Sequence, residues 1–141
     1  MIYFELNELT KENIYRKTLS LIEYLCDKYS FTEQRGVIEM ANQSLIDHLM
    51  MNEEDFSVDL NAHLENNTLV FNYLSEKPIF RFVEEMETDL NEDNFWGLLV
   101  ENLDLSADYK SFTIDFYVKP HQNVTRPVVN TILQKNDSYQ I

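Results

Sequence analysis

Glycine is scarce in this chain, with Gly36 and Gly97 the only two among 141 residues. Loops that bind phosphate need glycine where backbone N–H groups close around the anion. Two isolated glycines cannot form a P-loop or a G-x-G-x-x-G fingerprint. The sequence therefore predicts no conventional nucleotide-binding loop, and no catalytic motif takes its place.

Cysteine and long apolar runs are also lacking. Cys26 is the only cysteine, so the chain cannot form an internal disulfide, which is typical of a reducing compartment. No apolar run approaches the length of a membrane span, and the first residues carry no signal-peptide pattern. We expect a cytoplasmic protein that does not bind membranes.

Residues suited to metal binding or acid–base catalysis are present, but their spacing is unsuitable. The histidines His48, His63 and His121 form no H-x-H or H-E-x-x-H pair, and Cys26 has no cysteine partner. The carboxylates occur in polar runs that all face water, whereas an acid–base pair needs two different environments. These patterns predict neither a metal site nor a catalytic residue, and they disfavour an enzyme.

Charge of one sign dominates what remains. The net charge is −14, and residues 52–108 contain 15 acidic residues against only Lys77 and Arg81. Such a field repels the phosphates of nucleic acids and lipids, and it attracts a basic protein surface. We therefore expect a protein partner with a basic surface and no nucleic acid. The alternative is that the acids only maintain solubility.

Hydrophobic periodicity divides the first half of the chain into strands and helices. Residues 2–6 alternate as in a short strand, and residues 11–29 and 33–51 follow helical spacing. Residues 56–60 and 69–73 then alternate in the manner of an antiparallel hairpin. Two helices in succession with a hairpin after them suggest a helical pair packed on a sheet.

The second half is more polar. Residues 78–83 are consistent with an edge strand, since proline is tolerated there, and the acidic residues 84–94 are interpreted as a loop. A helix is predicted over residues 92–105 and a strand over residues 111–119.

These elements predict an α+β fold, a two-layer sandwich of a mostly antiparallel sheet with helices mainly on one face. Residues 1–119 would form the single domain, and residues 120–141 a C-terminal tail. A short helix after Pro127 would dock on the domain or on a partner.

Two segments carry a family resemblance. Residues 38–48 look like an N-box helix, in which a glutamate precedes by one turn an asparagine that holds Mg²⁺ and phosphate. Residues 95–104 look like the helix that follows an ATP lid, whose leading glycine lies near the phosphates, and residues 112–116 like the closing strand. Over residues 2–119 the chain resembles the small GHKL-type ATPase domains of bacterial anti-sigma factors and their serine kinase relatives.

The chain departs from that family where ATP would bind. One turn after Glu39 comes Gln43, with Asn42 one position out of register, and residues 75–78 replace the aspartate and glycine that read adenine. The resemblance therefore implies a member that has lost nucleotide binding, needs no cofactor and keeps the scaffold. If ATP is still bound, the residues implied to hold Mg-ATP are Glu39, Asn42, Gln43 and Gly97.

The function expected from charge and resemblance is that of a non-enzymatic regulatory protein that binds a protein partner through an acidic surface. Under the resemblance, the partner would belong to a partner-switching or sigma-regulation pathway. Two alternatives stay open: an ATP-dependent serine kinase or anti-sigma factor with divergent motifs, and an acidic inhibitor, either an immunity protein or a nucleic-acid mimic. The residues expected to contact the partner are Glu84, Glu85, Glu87, Asp89, Phe80, Phe82 and Trp96. For Trp96 itself a core position is the preferred interpretation, with an exposed anchor as the alternative.

Overall fold

The computed structural model describes residues 2–90 and 102–119, which contain five strands and three helices. In chain order these are β1 (Ile2–Leu9), α1 (Ile14–Lys28), α2 (Arg35–Asn52), β2 (Val58–Glu65), β3 (Thr68–Leu74), α3 (Val83–Leu90), β4 (Asn102–Leu105) and β5 (Ser111–Tyr117).

The five strands form one sheet in the order β1-β2-β3-β5-β4, and each neighbouring pair is antiparallel. A two-residue turn joins β2 to β3, and Glu65 pairs directly with Thr68 across it. Asn66 in that turn has a φ of 56°, a left-handed conformation that asparagine adopts more readily than most residues. The predicted hairpin and the predicted α+β fold class are both confirmed.

Alternation along the strands gives the sheet one buried face. In β5 the side chains of Phe112, Ile114 and Phe116 are buried, whereas those of the residues between them are only partly covered. Because successive side chains of a strand point to opposite faces, one face of the sheet belongs to the core and the other does not. We call the second surface the open face.

The helices cover the buried face. Tyr24 of α1 packs edge-on against Phe4 of β1, with the ring centroids 5.6 Å apart. Asn42 of α2 accepts a hydrogen bond from the hydroxyl of Tyr73 in β3. The buried residues of α1 recur at the predicted helical spacing, and they are Ile14, Thr18, Leu21, Ile22, Leu25 and Cys26.

The chain before α3 continues the same layer. The ring of Phe80 lies edge-on to Phe112 of β5 at 4.9 Å, and the ring of Phe82 stacks on His48 of α2 at 6.3 Å. Aromatic contacts of this kind place the turn before α3 on the buried face. All three helices described therefore lie on one side of the sheet.

Two predictions for the acidic segment are wrong. Residues 78–82 form no strand, and α3 begins at Val83, where a loop is predicted to start one residue later. Val83 and Met86 are both buried and lie three residues apart, so they form one side of a helix. Glu84 and Glu85 are exposed in its first turn, where negative charge complements the helix dipole.

The prediction of a helix over residues 92–105 is wrong over residues 102–105, which form β4. Leu103 and Leu105 are covered, and they alternate with the exposed Asn102 and Asp104, which is the two-residue period of a strand. Pairing with β5 satisfies the backbone of this short segment. The rest of that predicted helix and the predicted tail over residues 120–141 lie outside the described residues.

Candidate functional site

Asn42, predicted to bind magnesium and phosphate, is buried between α2 and β3. Its amide group donates to the carbonyl of Ile38 at 2.9 Å, and its carbonyl oxygen accepts from the hydroxyl of Tyr73. Burial raises the pKa of Tyr73, so this hydroxyl keeps its proton and remains a donor. Both polar ends of Asn42 are thus occupied, one within α2 and the other by the hydroxyl that joins the helix layer to the sheet.

Glu39, the second residue implied in nucleotide binding, takes part in an ion-pair network. Arg35 donates to Glu39 at 3.1 Å and to Glu23 of α1 at 2.6 Å, and its guanidinium lies 3.9 Å from Asp27. The network ties the start of α2 to α1, because one guanidinium can donate to several carboxylates at once.

The groove between α1 and α2 brings three of the predicted cofactor residues together. Glu39, Asn42 and Gln43 line this groove of about 700 Å³, with the apolar side chains of Leu19 and Ile22 opposite. Two of the three are already bonded within the protein, and Gln43 is exposed. The fourth predicted residue, Gly97, lies outside the described residues.

The acids predicted to contact a partner lie on α3. Glu84 and Glu85 are exposed in its first turn, and Glu87 and Asp89 belong to the same helix. Glu84 accepts a hydrogen bond from Tyr109, which raises the pKa of the Tyr109 hydroxyl.

The aromatic residues predicted to anchor the partner do not lie at the surface. The side chains of Phe80 and Phe82 are buried in the core, so the expectation that this region exposes them is wrong. Two phenylalanines separated by one residue look like one face of an exposed strand, but here both pack inward from a turn. The third predicted anchor, Trp96, lies outside the described residues.

The open face of the sheet is a surface that the sequence interpretation missed. Cross-strand pairing places Tyr3, His63, Val70, Asp115 and Asn102 in one row across all five strands. No described helix packs on this row, and its three central side chains are partly exposed.

A parallel row crosses the same face one step along the strands. It consists of Glu5, Asn61, Asn72, Thr113 and Asp104. Asn72 donates to the hydroxyl of Thr113 at 2.8 Å, so the centre of the row is linked by hydrogen bonds and its carboxylates lie at the two edges.

The charge on this face has one sign. The sequences of the five strands contain no lysine and no arginine. By the register of the strands, the carboxylates on the open face are those of Glu5, Asp59, Glu65, Asp104 and Asp115. Every lysine and arginine in the described part of the chain lies in a helix or a connection, so the two layers of the sandwich differ in their lysine and arginine content.

The acidic surface extends into a cleft at one end of the sheet. This cleft has a volume of about 1090 Å³ and is bounded by the end of β1, the start of β2 and the end of β3. Its lining includes the carboxylates of Glu8, Asp55, Asp59 and Glu76, with Lys77 as a basic residue.

Two tyrosines project from the open face. Tyr3 on β1 is 54% exposed and Tyr117 on β5 is 57% exposed. The hydroxyl of Tyr3 donates to Glu5 at 3.4 Å, and partial desolvation together with the negative charge of Glu5 raises the pKa of Tyr3. Aromatic rings with a polar end are well suited to protein interfaces.

The described residues offer neither a metal-binding cluster nor a reactive thiol. Among residues 2–90 and 102–119, no group of three or more histidine, cysteine, aspartate or glutamate side chains is placed to hold a metal ion. Burial raises the pKa of the Cys26 thiol to about 11, so the reactive thiolate is a minor form at neutral pH. No helix in the described ranges is both long and apolar enough to cross a membrane.

Comparison of the chain with protein-family models, curated proteins and solved structures gives no match. The resemblance to GHKL-type domains therefore remains a prediction.

Proposed function

We propose that this protein is a non-enzymatic regulatory domain that binds a protein partner with a basic surface. The observation that carries the proposal is the open face, where five carboxylates and two exposed tyrosines occur on strands without a single lysine or arginine. A surface of one sign accelerates the encounter with a partner of the opposite sign. A cytoplasmic location, consistent with one buried thiol, is part of the proposal.

Two features of this surface favour recognition over solubility alone. A sheet face turned to water needs polar side chains, and a mixture of both signs serves that need well. Here the five described strands carry no lysine or arginine, and two tyrosine rings are more than half exposed beside the carboxylates. Segregated charge combined with exposed aromatic rings is typical of a recognition surface.

The contacts in the helix layer favour this proposal over a divergent kinase. Asn42 already bonds at both ends of its amide, and Glu39 is held by Arg35. Binding Mg-ATP through these side chains would break the Tyr73–Asn42 bond between β3 and α2 and the Arg35–Glu39 pair within α2. Titration calorimetry with Mg-ATP and Mg-ADP is therefore expected to give no saturable binding at millimolar nucleotide.

The opposite result would restore the kinase alternative. Saturable binding that Glu39→Ala abolishes and Asp27→Ala preserves would contradict a non-enzymatic role. Asp27 is the matched control, because it approaches the same guanidinium but does not line the groove.

Direct mapping tests where a basic partner binds. A short peptide of alternating basic and small residues, titrated into the ¹⁵N-labelled full chain, is expected to shift backbone amides of β1, β2, β3 and β5. Amides on the outer side of α1 and α2 should move little. Shifts that concentrate on the helix layer would contradict the proposal.

A further inference from the structure

In the part of the chain that the structure describes, an arginine, a tyrosine and a glutamate lie together in one cluster. The guanidinium carbon of Arg81 lies 5.2 Å from the ring centroid of Tyr109. The hydroxyl of the same tyrosine donates to Glu84. The ring face therefore receives a cation while the ring edge is bonded to a carboxylate, and the three groups form a compact unit at the surface.

The open face presents the tyrosine and the carboxylate of such a unit, without the arginine. Tyr3 donates to Glu5 at 3.4 Å, and its ring is 54% exposed. The ion pairs that Arg35 forms with Glu23, Asp27 and Glu39 lie on the other layer. A guanidinium brought by another protein would complete the unit.

Tyr117, like Tyr3, has a carboxylate two residues away on its own strand, and it lies three strands from Tyr3 on the same face. Asp115 and Tyr117 lie two residues apart on β5 and point to one side, as do Tyr3 and Glu5 on β1. Three strand spacings of about 4.8 Å and a two-residue offset of about 7 Å place the two tyrosines roughly 16 Å apart at the backbone. The two positions are far enough apart to receive two separate side chains of one partner.

We infer that the basic partner presents arginine rather than lysine to the open face, with one guanidinium on Tyr3 and Glu5 and a second beside Tyr117. This inference rests on the proposed function, because it specifies the chemistry of the partner at the same surface. The guanidinium is planar, so it stacks on a ring and directs its N–H groups to a carboxylate at the same time. An ammonium is a point charge with no plane to stack.

Lys28 shows how an ammonium behaves in this protein. It lies 5.3 Å and 5.8 Å from the ring centroids of Tyr24 and Tyr29, and it donates to the hydroxyl of Tyr24 at 2.9 Å. No ion pair between Lys28 and a described carboxylate accompanies these contacts. Lys28 thus contacts tyrosine side chains without a described carboxylate beside them. Arg81, in contrast, lies over a tyrosine ring whose hydroxyl is bonded to a glutamate.

The test compares two short peptides that are identical except that one carries only arginine and the other only lysine as basic residues. Each is titrated into the full chain at one ionic strength. The arginine peptide is expected to bind about fivefold more tightly, because only a guanidinium can stack on a tyrosine ring and donate to the neighbouring carboxylate at the same time, which adds about a factor of two at each of the two sites. Equal affinities of the two peptides would overturn the inference.

Substitutions of single tyrosines test which positions produce the preference for arginine over lysine. Tyr3→Leu and Tyr117→Leu are each expected to lower the arginine-to-lysine affinity ratio about twofold or more, while both peptides still bind. Tyr15→Leu, which removes an exposed tyrosine from α1, is the matched control and should leave the ratio unchanged. A ratio that falls equally in the control would overturn the inference, and an unchanged ¹⁵N spectrum for each variant establishes that it is folded.

Failure of the inference and failure of the proposed function give different results. If both peptides bind the open face with equal affinity, the surface binds basic partners but does not select arginine. If neither peptide binds, the proposed function itself falls, and the inference falls with it.

Discussion

The hydrogen bond between Tyr73 and Asn42 determines how α2 is placed on the sheet. Both side chains are buried. The side-chain oxygen of Asn42 accepts a hydrogen bond from the hydroxyl of Tyr73 on β3. A buried acceptor that loses its donor bears the cost of desolvation without compensation. The pair is a polar link inside a core whose buried side chains are otherwise apolar except for Thr18, within the described residues.

Tyr73→Phe is therefore expected to lower the free energy of unfolding by about 1–3 kcal/mol. Urea denaturation of the variant and the parent measures the difference. Tyr117→Phe is the matched control, because it removes a hydroxyl from an exposed tyrosine of the same sheet, and it should change stability by less than about 0.5 kcal/mol. Equal effects of the two substitutions would contradict the role assigned to the buried bond.

Asp108 gives a second prediction at the scale of one residue. Its carboxylate accepts from Ser106 at 2.8 Å and from the backbone N–H of Lys110 at 3.1 Å, which hold the pKa of Asp108 below its usual value. A folded-state pKa below the unfolded one gives stability that is present above the unfolded value and is lost as the pH falls. These bonds close the connection in which Tyr109 has a φ of 60°.

Asp108→Asn is expected to flatten the fall in stability below about pH 4, the unfolded pKa of an aspartate. Thermal unfolding measured from neutral to acidic pH follows the effect. Asp47→Asn, on the exposed side of α2, removes the same charge without touching the turn. If both variants keep the slope of the parent, Asp108 does not contribute in the way proposed.

The sequence predicts those helices and strands that are long and whose apolar residues are regularly spaced. α1, α2, β2, β3 and β5 each repeat their apolar pattern several times, so the helical or the two-residue period is unambiguous. α3 and β4 are short, with eight and four residues, and composition misleads for both. Acidic residues conceal α3, which packs beside the sequence-distant β4, and β4 is a strand because β5 lies beside it.

The same reasoning explains what was missed at the site. Burial of Asn42 and of the Phe80 and Phe82 rings depends on tertiary contacts that no local pattern contains. The open face could have been predicted in part. The strands lack lysine and arginine in the sequence itself, but only the order of the strands shows that their carboxylates and Tyr3 and Tyr117 share one surface.

α3 supplies the prediction at the scale of an element. Met86 is buried on its inner side, whereas Glu85 is exposed one residue earlier. Met86→Ala is expected to lower the free energy of unfolding by about 2–5 kcal/mol, because it leaves a cavity in the core. Glu85→Ala should change it by less than about 0.5 kcal/mol. Urea denaturation of both variants distinguishes a docked helix from an acidic loop, in which neither substitution would matter.

At the scale of the whole molecule, the main feature is the segregation of charge between the layers. The strands carry acids without lysine or arginine, while α1 and α2 carry Arg16, Lys17, Lys28 and Arg35 among their acids. A basic partner is therefore attracted from a distance by the net charge of −14 and is oriented toward the open face. Surface attraction of this kind weakens as salt screens it, since the Debye length falls from about 10 Å at 0.1 M to about 3 Å at 1 M.

The measurement that tests the central claim most directly compares two triple variants of equal charge. Glu5→Gln with Glu65→Gln and Asp104→Asn removes three of the five carboxylate charges of the open face. Glu12→Gln with Asp47→Asn and Glu54→Gln removes the same charge from exposed positions outside the sheet.

Affinity for the arginine peptide is measured for each across a range of ionic strength. Three exposed charge contacts of about 0.5 kcal/mol each predict an affinity about tenfold lower for the open-face variant, with a shallower dependence on salt. The control should bind as the parent does. Equal weakening of both variants would show that only net charge matters, and it would contradict a binding surface on the open face.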